Sequence, residues 1–376
     1  MRELGVGRAL PRSEDLRLLN GKGRYTSDFE FSDQCHLFVL RSPHAHALIR
    51  SIDSSAARAL PGVLCVLTGE DAEADGIGHI RTMVQRHKAD GSPMERPPYR
   101  VLALDAVRMV GDAVAVVVAE RAEIARDAAE LIEVDYEPLP AVTDVVDALA
   151  ADAPAVWPAQ VPDNVCFQFQ LGDVDAVQRA FASAPRVSRL DLRISRVSAN
   201  PMEARNAIAR YDAFEQRYTL IAGVQNPHRL RSEIAAHALF IPASKLRVIS
   251  PDMGGGFGMK GSVFPELVLC LWAARRCGRT VRWQADRGES FVSDYHARDN
   301  VSTVELALDE AGTFLALRIR TLANLGAYLG FNTPHSSTNN LGGLAGVYRT
   351  PHIHAHVTGV YTHTQPTAPY RGAGRP

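Results

Sequence analysis

A chain of 376 residues with 46% hydrophobic and 22% charged residues is long enough for two or three domains and has a globular rather than a disordered composition. Its 41 Lys and Arg against 42 Asp and Glu leave a net charge of -1, so no global field draws it to nucleic acid or an anionic membrane. No apolar run reaches the roughly 20 residues that span a bilayer, and the opening MRELGVGRALPRSEDLRLL lacks an apolar signal core, so the cytoplasm is the expected compartment.

Taken in chain order, CHLFVLRS and GVLCVLTG are short apolar runs bounded by Gly, Pro and Ser, and read as strands. VGDAVAVVVAE is nearly continuous in Val and Ala, as a strand buried on both faces would be. In RAEIARDAAELIEV the residues Ile124, Ala128 and Leu131 recur at helical spacing and predict one apolar face. EVDYEPLPAV returns to extended chain. The stretch TDVVDALAADAPAVWPAQVPDN, rich in Ala, Pro and Asp, reads as a linker at about 141–165 between a first domain (1–140) and a second (166–376).

Beyond the linker, AFASAPRVSRLDLRISRVSANP predicts a short helix and a strand, and RYTLIAGVQNPHRLRSEIAAHAL predicts strand, loop and helix. KLRVISPDMGGGFG is a strand feeding a glycine loop. FPELVLCLWAARRCG is a helix with Pro265 in its first turn and Gly278 at its stop. TVRWQADR and HIHAHVTGVYTHT supply further strands. VSTVELALDEAGTFLALRIRTLANLGAYL predicts a hairpin turned at Asp309 to Gly312. The fold class is α+β, mixed α and β in two unequal domains.

Five cysteines without a C-x-x-C pair argue against a zinc ribbon or a disulfide framework, and read as reduced, buried thiols. Histidines alternate in HAH (44–46) and HIHAH (352–356) and so share a strand face, but solvent-facing histidines account for them better than a metal site. The glycine loop GGGFGMKG sits between a strand and a helix, the context in which bare backbone holds phosphates or cofactors. It fits neither a Walker A loop nor a dinucleotide fingerprint, and a tight turn with close helix packing explains it equally well. Polar residues set among Gly, Pro and Asn recur in NPMEAR (Glu203), GVQNPH (Gln225), NLGAYLG, NLGGLAG and APYRGAGRP (Arg371).

Together these segments form a pattern. GVGRALPRSEDLRLLNGKGRYTSDF, RSPHAHALIRSID, PGVLCVLTGED, VRMVGDAVAVVVAERAEIARDAAELIEVDYEPLPAV, NPMEARNAIA, QNPH, GGGFGMKG and PYRGAGRP occur in order over the whole chain. So ordered, they resemble the molybdenum-cofactor-binding large subunit of the xanthine dehydrogenase, aldehyde oxidase and carbon monoxide dehydrogenase family. The resemblance implies an N-terminal α/β hammerhead-like domain followed by the first part of a molybdopterin-binding domain. It implies a molybdenum held by the dithiolene of a pterin, commonly the cytosine dinucleotide form in bacteria, with no protein metal ligands. By analogy Gln225 bonds an oxo group of the metal, and Gly255, Gly256, Phe257 and Gly258 offer backbone N–H groups to the metal site and pterin. Arg371, Gly372 and Ala373 match the segment that lies over the metal and helps orient substrate.

The implied reaction is oxidative hydroxylation of an aldehyde or N-heteroaromatic substrate with oxygen from water. Electrons pass to 2Fe-2S and FAD centres on partner subunits, an iron-sulfur small subunit and a FAD-binding medium subunit, since no cysteine cluster here could hold them. Neither nucleic acid nor membrane is an expected partner. Gly261 stands where purine-oxidising members carry a glutamate, and Ala373 where a stacking aromatic falls, which disfavours xanthine. APYRGAG has no cysteine before Arg371, which disfavours carbon monoxide. Family subunits are about twice as long, and their second half carries the general base, so a complementary C-terminal half is expected and the isolated chain should neither hold cofactor tightly nor turn over. The alternative is a truncated or split non-catalytic remnant that serves only as a subunit-interaction module.

Overall fold

Fifteen strands run through the residues described by the computed structural model, which are 6, 7 and 9–373. The start of the N-terminal family segment and the last three residues of PYRGAGRP therefore lie outside the described residues. The first part of the chain contributes β1 (Gln34–Arg41), β2 (Ala47–Asp53), β3 (Val63–Thr68), β4 (Ala106–Val107), β5 (Ala113–Ala119) and β6 (Glu133–Pro138). The rest contributes β7 (Val165–Gly172), β8 (Arg186–Val197), β9 (Asn206–Asp212), β10 (Arg217–Ile221) and β11 (Leu246–Ile249). β12 (Thr280–Gln284), β13 (Ala297–Leu308), β14 (Phe314–Gly326) and β15 (His352–Tyr361) complete the set.

A seven-stranded sheet has the order β11-β10-β9-β12-β1-β5-β3, a five-stranded sheet the order β7-β15-β14-β13-β8, and a small sheet the order β4-β2-β6. The largest sheet draws strands from both sides of residues 141–165. β1 runs parallel to β12, with Gln34 opposite Thr280 and His36 opposite Arg282. Parallel pairing needs a long crossover, and here more than two hundred residues of chain provide it.

The sheet lies between two layers. All seven residues of β5 are buried, as its Val and Ala run predicts. Val116 and Val118 face the main core, which holds the helix Pro265–Cys277, while Ala115, Val117 and Ala119 face the helix Ala122–Glu130. That second helix departs from its predicted face: Ala125, Ala128 and Ala129 are buried, whereas Leu131 caps the helix and is 42% exposed. Alanine lets the helix axis approach the sheet closely, so the small side chains take the inner face.

The helix Pro265–Cys277 begins and ends where its sequence predicts, with Pro265 at the first helical position and Gly278 in the left-handed conformation at φ 62°. It is buried all round from Pro265 to Ala274, so it is a central rather than a surface helix. The predicted hairpin is also present. β13 and β14 pair antiparallel, and Gly312 N–H donates to Asp309 O in the turn. The HIHAH histidines do not all face solvent: His354 is buried, with Nε2 3.2 Å from Gln170 Oε1. Among the described residues no group of His, Cys, Asp and Glu could hold a metal ion, and no helix is long and apolar enough to cross a membrane.

Asp112, at the mouth of β5, is fully buried and accepts hydrogen bonds from the Tyr328 hydroxyl and from Arg108 N–H. Burial outweighs these bonds and pushes its carboxyl up to about 6. The fold thus favours the protonated acid. Its stabilising contribution is complete below the unfolded value of roughly 4 and is lost as pH rises through about 6. Denaturant unfolding between pH 4 and 7 should show the chain losing roughly 2–3 kcal/mol relative to Asp112→Asn; parallel pH profiles for the two would refute this.

Candidate functional site

The glycine loop leaves β11 and enters a 3-10 turn, Met259–Gly261, that leads to the buried helix. Its backbone bends through conformations that side chains resist: φ is 106° at Gly255, 53° at Phe257 and 93° at Gly258. The glycines are also required by crowding. A β-carbon on Gly254 would lie 2.5 Å from Glu203 Cβ, one on Gly256 would lie 2.7 Å from Gln225 Cδ, and one on Gly258 would lie 2.8 Å from Pro369 O. Three neighbours, from three separate segments, therefore press on one bare backbone.

Gln225 follows β10, one residue before Asn226, whose side chain caps the helix Pro227–Glu233 by accepting from Arg229 N–H. Gln225 N–H donates to Lys260 O at 3.1 Å, and Gly258 N–H donates to Gln225 Oε1 at 2.7 Å. With its carbonyl oxygen taken by the loop, the amide keeps its NH2 group as a donor towards the exposed side. Among the described residues nothing accepts from the N–H groups of Gly255, Gly256 and Phe257, which leaves three backbone donors on the loop.

The third segment is the end of the described chain. Arg371 N–H donates to Phe257 O at 2.9 Å, and the Arg371 guanidinium lies 5.7 Å from the centre of the Phe257 ring. Tyr370 meets Phe257 edge to face at 6.2 Å between ring centres. Arg371, Gly372 and Ala373 all have positive φ, at 35°, 109° and 50°. The structure thus brings all eight sequence-predicted positions, Gln225, Gly255, Gly256, Phe257, Gly258, Arg371, Gly372 and Ala373, into two facing loops beside one amide.

Arg298, which the sequence did not single out, and three residues from the noted segments hold these loops in place. Arg298, itself at φ 68°, donates from Nη1 to Tyr370 O at 2.7 Å and from Nη2 to Arg371 O at 3.2 Å. Asn340 Nδ2 donates to Ala373 O. Beneath the glycine loop, Lys260 is buried and donates to Glu203 O at 2.8 Å and to Glu203 Oε2 at 3.0 Å. Glu203 Oε2 also accepts from Gly254 N–H at 2.8 Å. Burial pushes the Lys260 ammonium down, and Glu203 opposes that shift. A lysine inside a glycine run was the available signal for this brace, but nothing local pointed to Arg298.

Deeper still, Glu266 bonds both Arg205 and Arg41, and Arg205 also bonds Asp294. Burial would raise the Glu266 carboxyl, but the two guanidiniums outweigh it and hold it at about 2. Removing one member would leave a buried charge unpaired, at a cost of about 3–5 kcal/mol.

Residues 157–376 match the molybdopterin cofactor-binding domain, and residues 20–140 match the aldehyde oxidase and xanthine dehydrogenase a/b hammerhead domain. The chain is 36% identical to the gamma subunit of the 6-hydroxypseudooxynicotine dehydrogenase complex of Paenarthrobacter nicotinovorans, over 100% of this chain and 46% of that protein. It is 35% identical to the carbon monoxide dehydrogenase large chain of Afipia carboxidovorans, over 95% of this chain and 44% of that one. Among solved structures, quinoline 2-oxidoreductase from Pseudomonas putida 86 superposes with a TM-score of 0.87 at 37% identity, covering 98% of this chain and 46% of its own. The chain spans under half the length of these relatives.

Gly256→Ala should drive Gln225 off the loop, because its β-carbon would overlap the amide. The Gly258 amide should then exchange with solvent about fivefold faster, the loss of roughly 1 kcal/mol of hydrogen bond. Gly261→Ala, whose β-carbon would lie 3.9 Å from Gln225 Cβ, should leave that rate unchanged. Hydrogen-deuterium exchange of the loop peptide reads both, and equal effects of the two substitutions would reject the close-approach account.

Proposed function

The chain belongs to the molybdopterin-binding family of xanthine dehydrogenase and carbon monoxide dehydrogenase, and we propose that its glycine loop, Gln225 and residues 369–373 form one wall of the cofactor site of a molybdenum hydroxylase. The observation that carries this reading is the convergence of a bare, left-handed backbone with a pre-oriented amide and an arginine. A backbone kept bare by the close approach of Glu203, Gln225 and Pro369, with three N–H groups that nothing among the described residues accepts, fits a polyanionic pterin cofactor.

When bound, that cofactor supplies the redox chemistry of the hydroxylation. The chain's own residues bind and orient. Gly255, Gly256 and Phe257 offer N–H donors, Gln225 offers its NH2 to an oxo ligand, and the Gly258 N–H holds the Gln225 amide in that orientation. Arg371, packed over Phe257, presents a cation for a polar or anionic group of the substrate or cofactor. Lys260 and Glu203 keep the loop in place without reaching the substrate.

The substrate class is an aldehyde or an N-heteroaromatic compound. The relatives named for 6-hydroxypseudooxynicotine and quinoline support the heteroaromatic member of that pair. Gly261 and Ala373 lack the glutamate and the aromatic that the resemblance expects of purine-oxidising members, which supports a substrate other than xanthine. The cofactor is taken as the cytosine dinucleotide form, the inserted oxygen as coming from water, and the electrons as leaving to iron-sulfur and flavin subunits in the cytoplasm. The rest of the pocket corresponds to the part of the relatives that these 376 residues do not match. The second reading is a non-catalytic module that only docks the partner subunits.

Molybdenum analysis separates the readings. Purified alone, the 376-residue chain should carry far less than one molybdenum per chain. Co-expressed with a polypeptide supplying the missing half, the complex should approach one, and Gln225→Ala should lower turnover at least tenfold with molybdenum retained. A complex that assembles with its partner subunits yet never takes up molybdenum would establish the docking module instead.

A further inference from the structure

Cys65 and Cys277 bring their sulfur atoms within 3.2 Å of each other, although they come from opposite ends of the fold. Cys65 lies on β3, the outermost strand of the seven-stranded sheet, and Cys277 is the last residue of the buried helix. Neither sequence spacing nor a C-x-x-C pattern announces the pair.

An irregularity in the sheet creates it. Residues two apart on a strand normally share a face. Here Val63 pairs with Ala119 and Cys65 with the next residue back, Val118, so Leu64 is an extra residue in the ladder. Val63 therefore packs with the cluster around Ala119 and Ala125, while Cys65 turns to the opposite face, against the core that holds the helix. Without that bulge the Cys65 thiol would point away from Cys277.

The surroundings favour thiol chemistry at these two positions. Cys35 sits in the same core but is fully buried and donates to Thr280 O, whereas Cys65 and Cys277 are only partly buried. The hydrogen bond from Cys65, and then Arg279 and Arg276, hold the Cys277 thiol below its ordinary value against the effect of burial. Closing 3.2 Å to the roughly 2.0 Å of a sulfur-sulfur bond needs about 1 Å of movement, within reach of side-chain rotation.

We propose that Cys65 and Cys277 form a dithiol site that a small-molecule disulfide of the glutathione class oxidises to an intramolecular disulfide. The Cys277 thiolate attacks one sulfur of the oxidant, breaks its disulfide and releases one thiol. Cys65, giving up its proton, then attacks the Cys277 sulfur of the mixed disulfide and releases the second thiol. The protein pair loses two electrons and the oxidant gains them. The resulting cross-link staples the edge strand β3 to the helix whose other end carries Glu266, the anchor of Arg205 and Arg41. This inference is independent of the cofactor reading.

The test treats the 376-residue chain with oxidised glutathione, alkylates the remaining thiols, and combines intact mass, peptide mapping and thermal melting. The expected product lacks two hydrogens, yields one cross-linked peptide joining Cys65 to Cys277, and melts higher by a shift on the order of 5 °C that dithiothreitol reverses. Cys65→Ser should instead hold a glutathionyl group on Cys277 and show no such shift, and Cys35→Ser should behave as the unaltered chain does. A stable glutathionyl adduct on the unaltered chain, a cross-link through Cys35, or two thiols that stay fully alkylable would each overturn the proposal.

Discussion

One half-buried carboxylate sets the shape of the candidate site. Glu203 is the acceptor for Gly254 N–H, the counter-charge of Lys260 and the wall against which Gly254 has no space for a side chain. Burying an ion pair is costly, and replacing it by apolar groups would often stabilise a protein. Its presence here fits a positional role: it fixes the loop from below, so that Gly255 to Gly258 meet Gln225 on one side and Pro369 to Arg371 on the other. The strain of the positive-φ residues is held by these contacts rather than relieved.

The same logic extends inwards. Glu266 lies in the first turn of the central helix just after the loop and gathers Arg205 from just before β9 and Arg41 from the end of β1. Charge pairing thereby links the part of the chain that matches the hammerhead domain to the part that matches the cofactor-binding domain, beside the parallel pairing of β1 with β12. The loop, the helix and the shared sheet make one continuous support, and the exposed Gln225, Phe257 and Arg371 stand on it.

Local chemistry made several of these elements legible in the sequence. Pro265 and Gly278 bracket the central helix because one needs no N–H donor and the other adopts a left-handed cap. The Val and Ala run of β5 and the turn at Asp309 to Gly312 were equally plain. Long-range pairing was not, since nothing in the strand CHLFVLRS announces TVRWQADR as its neighbour. The strands β2, β7 and β9 carry no comparable signal, and Leu131 falls at core spacing yet ends the helix exposed, because helical spacing alone does not say where a helix stops. At the site, the predicted residues came from a pattern of motifs, whereas Arg298 and the pairing of Glu203 with Lys260 depend on distances that no motif encodes. A buried arginine or lysine looks like any surface charge until its partner is known.

The central claim is that the bare loop, Gln225 and residues 369–373 together meet the pterin cofactor. Hydrogen-deuterium exchange on the complex with its complementary half, compared with and without molybdopterin, tests it most directly. The account predicts that loading slows exchange at Gly255, Gly256 and Phe257 and in residues 369–373, with the core strand β5 unchanged. Loading that leaves the glycine loop unprotected, or that protects a surface remote from Gln225, would contradict it.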